Sequence, residues 1–87
     1  MRVKHHLTIR ATCPINGNTD FYQATVSSNW LIPVEEVLAA AEALRLEPIF
    51  QEDLTKELKI ALDSGDLRGV RVKTIGTHSG VRTVCRA

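Results

Sequence analysis

The chain has 87 residues, a formal net charge of +1, 44% hydrophobic residues, two cysteines, and only one Trp, one Tyr and two Phe. At roughly 100–200 residues per domain, residues 1–87 make one small domain, too apolar for intrinsic disorder and able to bury only about 60–65% of its unfolded surface. The longest near-apolar stretch, residues 37–46, is interrupted by Glu42 and Arg45 and falls short of the ~20 residues of a membrane span.

Two cysteines and the lack of a charged-then-apolar leader argue against a disulfide-stapled secreted fold. The expectation is a cytoplasmic domain with no membrane partner, which completes its small core by assembling into a homo-oligomer.

Residues 3–11 alternate, with Val3, Leu7, Ile9 and Ala11 offset from Lys4, His6, Thr8 and Arg10, the period of a half-buried strand. Residues 13–20 (Cys-Pro-Ile-Asn-Gly-Asn-Thr-Asp) carry turn chemistry. Residues 21–28 are rich in strand formers, so the first two strands are expected to pair as a hairpin.

Pro33 suits the first position of a helix. Beyond it Val34, Val37, Leu38, Ala41 and Leu44 recur at three- and four-residue spacing, leaving Glu35, Glu36 and Glu42 outside. Pro48 separates a second helix over 51–64, with Leu54, Leu58, Ala61 and Leu62 on its apolar side. Glu52 and Asp53 sit at the positive end of its dipole, and Gly65 is its expected stop. Two β-branched runs, 69–75 and 81–86, follow, joined by the hairpin connection 76–80 (Gly-Thr-His-Ser-Gly).

This order predicts an α+β domain, ββααββ. A four-stranded antiparallel sheet carries both helices on one face, with open edges at which copies join. Charge is unevenly spread. Nine of the ten acids lie between positions 35 and 66, whereas eight of the eleven bases lie outside that window: Arg2, Lys4, Arg10, Arg68, Arg71, Lys73, Arg82 and Arg86. On the last hairpin Arg71 and Lys73 alternate with Val70 and Val72, and Arg82 and Arg86 share a side opposite Thr83 and Cys85. Such a basic sheet surface suits tRNA phosphates, a polar tunnel or plain solvent.

Cys13 and Asp20 flank the first turn. If the hairpin forms they face each other within roughly 5 Å, where a carboxylate can take and return the proton of a nucleophilic thiol. A Cys-Pro strand end and a turn aspartate account for the same residues without chemistry. Glu52, beside Gln51 and Asp53, could accept two N–H donors from a purine- or pterin-like ring edge; dipole compensation explains it equally. His5 and His6, adjacent on a strand, point to opposite faces and cannot chelate one ion together, so no metal site is expected. Cys85 is expected in a core or interface, and Trp30 and Tyr22 in the core or stacked on a planar base.

Two segments resemble a known family. Cys13-Pro14-x-x-Gly17-x-x-Asp20-Phe21 resembles the Cys-Pro-x-Thr-Gly-x-Pro-Asp-Phe segment of the 7-cyano-7-deazaguanine (nitrile) reductases, and Phe50-Gln51-Glu52-Asp53 resembles their Phe-His-Glu-Asp segment. The element order is similar to the tunnelling fold that these enzymes share with pterin and GTP cyclohydrolase enzymes. The resemblance implies that Cys13 adds to a substrate nitrile to give a thioimide, that Asp20 shuttles protons, and that Glu52 holds the heterocycle.

Three departures stand out. Residues 21–51 contain no lysine and one arginine, Arg45, where the reductases carry the lysine-rich stretch that binds NADPH. Gln51 replaces their histidine. Their last-hairpin Arg-Gly-Gly corresponds to Thr77-His78-Ser79-Gly80, where His78 is a candidate replacement donor. These departures resemble the short reductase-like amidinotransferases of archaeal tRNA modification, which use no NADPH.

The expected function is therefore attack on 7-cyano-7-deazaguanine, free or tRNA-borne, by Cys13 with Asp20. Gln51, Glu52 and His78 bind substrate, and ammonia resolves the thioimide to an amidine without a cofactor. Contact with tRNA is expected through Arg71, Lys73, Arg82 and Arg86. The alternatives are an NADPH-dependent reductase and a non-catalytic purine- or pterin-binding module.

Overall fold

The alternation of the first 28 residues is realised as two long antiparallel strands, β1 (Val3–Thr12) and β2 (Thr19–Ser28), in register from Val3 opposite Ser28 to Thr12 opposite Thr19. Two helices follow, α1 (Val34–Ala43) and α2 (Gln51–Leu62), then β3 (Arg71–His78) and β4 (Val81–Arg86). The computed structural model describes residues 1–45, 47–63 and 69–87. The strands form one antiparallel sheet in the order β1-β2-β3-β4. β1 and β4 are thus its two edges, open except where the Thr12 backbone bonds to Glu47 and Ile49 (3.0 and 3.1 Å).

The pleat sorts side chains between two faces. Ile9 and Ala11 of β1, Tyr22, Ala24 and Val26 of β2, and Val72 of β3 point to the helix side and are buried. Leu54, Leu58 and Leu62 of α2 close over them, each full burial contributing roughly 1.5–3 kcal/mol. The expected order and the single-sided helices are observed.

Helical detail differs from the expectation. In α1 Val37 is buried, but Val34 and Leu38 are exposed. Leu38 overhangs a groove of about 680 Å³ between α1 and edge strand β1, floored by Leu7 and Ile9, which no further layer of the described residues covers. In α2 Ala61 faces outward. Its expected place inside is taken by Thr55, whose hydroxyl donates to the Gln51 carbonyl (2.7 Å) and meets the Thr74 hydroxyl (2.7 Å). A threonine can be buried there because its one polar atom is fully bonded. The stop expected at Gly65 lies outside the described residues.

The last hairpin also differs. The connection expected at 76–80 shrinks to Ser79-Gly80, because Gly76, Thr77 and His78 remain paired with Thr83, Arg82 and Val81. Ser79 (φ 51°) and Gly80 (φ 80°) both adopt left-handed backbone, as a two-residue turn matched to strand twist requires. Gly76 is a strand residue for a steric reason. A Cβ there would lie 2.5 Å from Cε1 and 2.6 Å from Cδ1 of Tyr22, so its bare backbone is what lets the phenol ring lie against β3.

Candidate active site

At the end of the sheet beside the first turn, the backbone fixes Cys13 from both sides. Its N–H donates to the Asn18 carbonyl (2.7 Å), and its carbonyl accepts from the Gly17 N–H (2.9 Å). The Asn16 side chain accepts the Asn18 N–H (2.9 Å) and closes the turn. The register sets Asp20 opposite Ala11 rather than opposite Cys13. Extending the register one step past Thr12, through the Cys13–Asn18 backbone bond, puts Cys13 diagonal to Asp20, a relation of roughly 7–8 Å between Cα atoms, not the direct 5 Å pair expected from the turn length. The turn takes residues 13–18, shorter by two than the sequence suggested, which moves Asp20 one rung back from its mouth.

Around Asp20 the structure gathers residues that sequence reasoning did not group. The Tyr22 hydroxyl donates to Oδ2 at 3.4 Å, a long contact, and His78 Nδ1 lies 3.6 Å from Oδ1. The Tyr22 and His78 rings tilt against each other with centroids 6.0 Å apart. Burial pushes the Tyr22 phenol up to about 12, reinforced by the charge of Asp20, by its hydrogen bond, and by the Cys13 and Cys85 sulfurs nearby. Tyr22 is only 2% exposed. It thus stays a neutral donor to the Asp20 carboxylate. Both cysteines are free and half-buried.

Period-two reasoning could have found Tyr22, two residues beyond Asp20 on one strand. Cys85 needed the β3–β4 register, which sets it opposite Thr74 on the helix side.

The start of α2 adjoins this cluster through Gln51. The Gln51 amide nitrogen donates to the Thr74 carbonyl (3.2 Å), the Thr74 hydroxyl (3.2 Å) and the Thr83 carbonyl (3.0 Å), pinning the helix start to β3 and β4. Its Oε1 is buried and has no partner among the described residues, and it would lie 3.2 Å from a Cβ at Gly76. Gln51 is thus turned inward. Glu52 and Asp53 are exposed in the first turn of α2, and the structure shows no contact between Glu52 and Cys13, Asp20 or His78. The groove between β1 and α1 contains none of these residues.

His5 and His6 lie on opposite faces: His5 Nε2 meets the Ile32 carbonyl (3.1 Å), and His6 Nδ1 meets the Thr25 hydroxyl (3.1 Å). Among the described residues no three His, Cys, Asp or Glu side chains are arranged to hold a metal ion, and no helix is long and apolar enough to cross a membrane.

The face without helices has a different character. Lys4, Ser27 and Arg71 form one transverse row, and His6, Thr25, Lys73 and Arg86 the next. Arg82, opposite Thr77, and Arg10, opposite Phe21, lie on the same face. Phe21 is 58% exposed.

Together the sheet order, register and single-sided helices define the ββααββ tunnelling fold. The chain is similar to the crystal structure of the archaeosine synthase QueF-Like in its apo form, with a TM-score of 0.89 at 20% sequence identity, over 99% of this chain and 90% of that one. At that identity the likeness is one of fold. No protein-family model and no curated protein sequence matches the chain.

Proposed function

We propose that this chain processes the nitrile of a 7-cyano-7-deazaguanine base, free or carried in tRNA. The Cys13 sulfur adds to the nitrile carbon, so that an S–C bond forms and the carbon–nitrogen triple bond becomes double. The thiol proton passes by way of Asp20 to the nitrile nitrogen, leaving a thioimide. Ammonia then adds to the same carbon, the C–S bond breaks, and the sulfur recovers a proton as the amidine leaves. Ammonia is the only co-reactant this sequence of steps needs. The reading includes no NADPH and no metal.

Glu52 accepts the N–H donors of the heterocycle, with Gln51 holding the helix start that presents it and His78 bordering the site. Among the described residues Glu52 has no hydrogen-bond or ion-pair partner, so the reading assigns it to a pocket completed by a second copy. The two sheet edges and the exposed Val34, Leu38, Phe50, Val81 and Val84 support such assembly. A tRNA-borne substrate would meet the helix-free face through Arg71, Lys73, Arg82 and Arg86.

What supports the reading is the turn that brings Cys13 and Asp20 to one end of the sheet, with the Tyr22 hydroxyl on Asp20, in a fold shared with an archaeosine synthase. Intact-mass analysis after mixing with 7-cyano-7-deazaguanine tests it. A one-to-one covalent adduct is expected in the wild type and none in Cys13→Ala. No adduct at any pH across the range in which a thiol ionises would overturn the nitrile reading and leave a binding module. Given an adduct, conversion on addition of ammonium selects the amidine route, whereas consumption of NADPH selects the reductase.

A further inference from the structure

Two side chains stand at the Asp20 carboxylate, one at each oxygen, at 3.4 and 3.6 Å. Tyr22 reaches Oδ2 from two residues along the same strand, and the imidazole of His78 approaches Oδ1 from the neighbouring strand. The second contact depends on the last hairpin. Its turn is confined to Ser79-Gly80, both left-handed, so His78 remains paired with Val81 as the final residue of β3. A longer connection would release the histidine into a loop. Gly76 contributes as well, because its missing side chain leaves the room that the Tyr22 ring occupies. His78 is 43% exposed at the side chain and Asp20 15%. The imidazole thus forms the solvent-side wall of a carboxylate that is itself largely covered. Among the described residues no other carboxylate lies within ion-pair distance of it.

We propose that His78 is a positioning residue for Asp20. With Tyr22 3.4 Å from Oδ2 and His78 3.6 Å from Oδ1, the carboxylate has one neighbour at each oxygen, and these two set its position relative to Cys13. This deepens the proposed nitrile chemistry and rests on that reading. His78 acts through Asp20 and exchanges no atom with the substrate. The contact uses Nδ1, whose position the side-chain nitrogen of asparagine reproduces, so Asn is the conservative replacement and Leu the disruptive one. The exposure of His78 means that neither opens a cavity in the core.

The test is the rate of Cys13 adduct formation with 7-cyano-7-deazaguanine, read by intact mass in the full chain. His78→Leu is expected to slow it on the order of 10²-fold, the effect of misplacing a reacting group by about an ångström, and His78→Asn to restore most of the rate. In an Asp20→Asn background His78→Leu should cost nothing further, because both changes disable one unit. A second arm needs no nitrile: alkylation of Cys13 by iodoacetamide, followed by peptide mapping to separate it from Cys85. There His78→Leu should change the rate in the same direction as Asp20→Asn, with the double variant no different from Asp20→Asn alone. Unchanged adduct kinetics in His78→Leu, or losses that multiply in the double variant, overturn the positioning role while leaving the nitrile reading intact. A wild type that forms no adduct overturns that reading, and the alkylation arm alone then decides whether His78 acts through Asp20.

Discussion

The two faces of one sheet divide the chemistry between them. All six lysines and arginines within the strands, Lys4, Arg10, Arg71, Lys73, Arg82 and Arg86, point away from the helices, while the single strand carboxylate, Asp20, points toward them. On the helix side Asp20 meets Tyr22 and His78 at one end of the sheet, while His5 and Ser28 at the other end bond to the Ile32 and Trp30 carbonyls. On the bare face the charged groups are numerous, of one sign and spread over several rows. A buried reactive cluster needs partners within hydrogen-bond reach, since an unpaired polar group there costs free energy. A charged open face needs only solvent or a polyanion. The same two-residue period produces both, so a one-residue slip in any strand would exchange them.

The sharpest way to break this division is to alter one face and read the other. Asp20→Asn is expected to slow covalent capture of the nitrile by roughly 10²–10⁴-fold while leaving affinity for RNA unchanged, measured as adduct kinetics and as binding of unmodified tRNA. Loss of both together would mean that the faces are not independent.

The next largest effect concerns packing. Gly76→Ala drives a methyl group into the Tyr22 ring and should destabilise the fold by roughly 1–3 kcal/mol, as overpacking does, seen as a lower denaturation midpoint.

Tyr22 also gives the helix side a pH signature. Its phenol is raised from its ordinary value of 10 to about 12, first by burial and then by Asp20. Between those values the unfolded chain has lost the phenolic proton and the folded chain retains it, so the native state binds more protons and stability falls as pH rises. Below pH 10 the contribution is fully present. In denaturant titrations the stability difference between wild type and Tyr22→Phe should therefore be constant below that pH and move against the wild type through the window, the variant showing the shallower loss.

Much of this was legible in the sequence, and the exceptions have physical causes. Alternation over residues 3–11 fixed which side of β1 is buried, and the β-branched run 81–86 coincides with β4. Boundaries set by glycine were less readable. Gly76 looks like the start of a loop, but it is a strand position kept bare for a ring that sequence cannot show lying against it. In α1 Val34 and Leu38 have the spacing of a buried stripe, yet none of the described residues covers them. Ala61 and Thr55 exchanged roles because a bonded threonine is as good a core residue as alanine.

At the site, Cys13 and Asp20 could be assigned to one face, but their diagonal offset turns on the length of a turn that two residues of extra pairing shorten. The approach of His78 to Asp20 was hidden because it arises only through the pairing of distant segments.

The smallest effect tests the bare face on its own. Lys73 and Arg86 are directly opposite on β3 and β4, and like charges so placed are destabilising. Arg86→Glu converts the repulsion into an ion pair and should raise stability by roughly 0.2–1 kcal/mol, a gain that shrinks as added salt screens the pair. The same substitution removes a cation from the surface proposed to meet RNA phosphates. Binding should weaken, and the dependence of log affinity on log salt should become shallower by about one. Adduct formation at Cys13, on the other side of the sheet, should not change. A variant that gains stability yet binds RNA with an unaltered salt slope would remove RNA contact from this face and leave its cations to solvent or to a neighbouring copy.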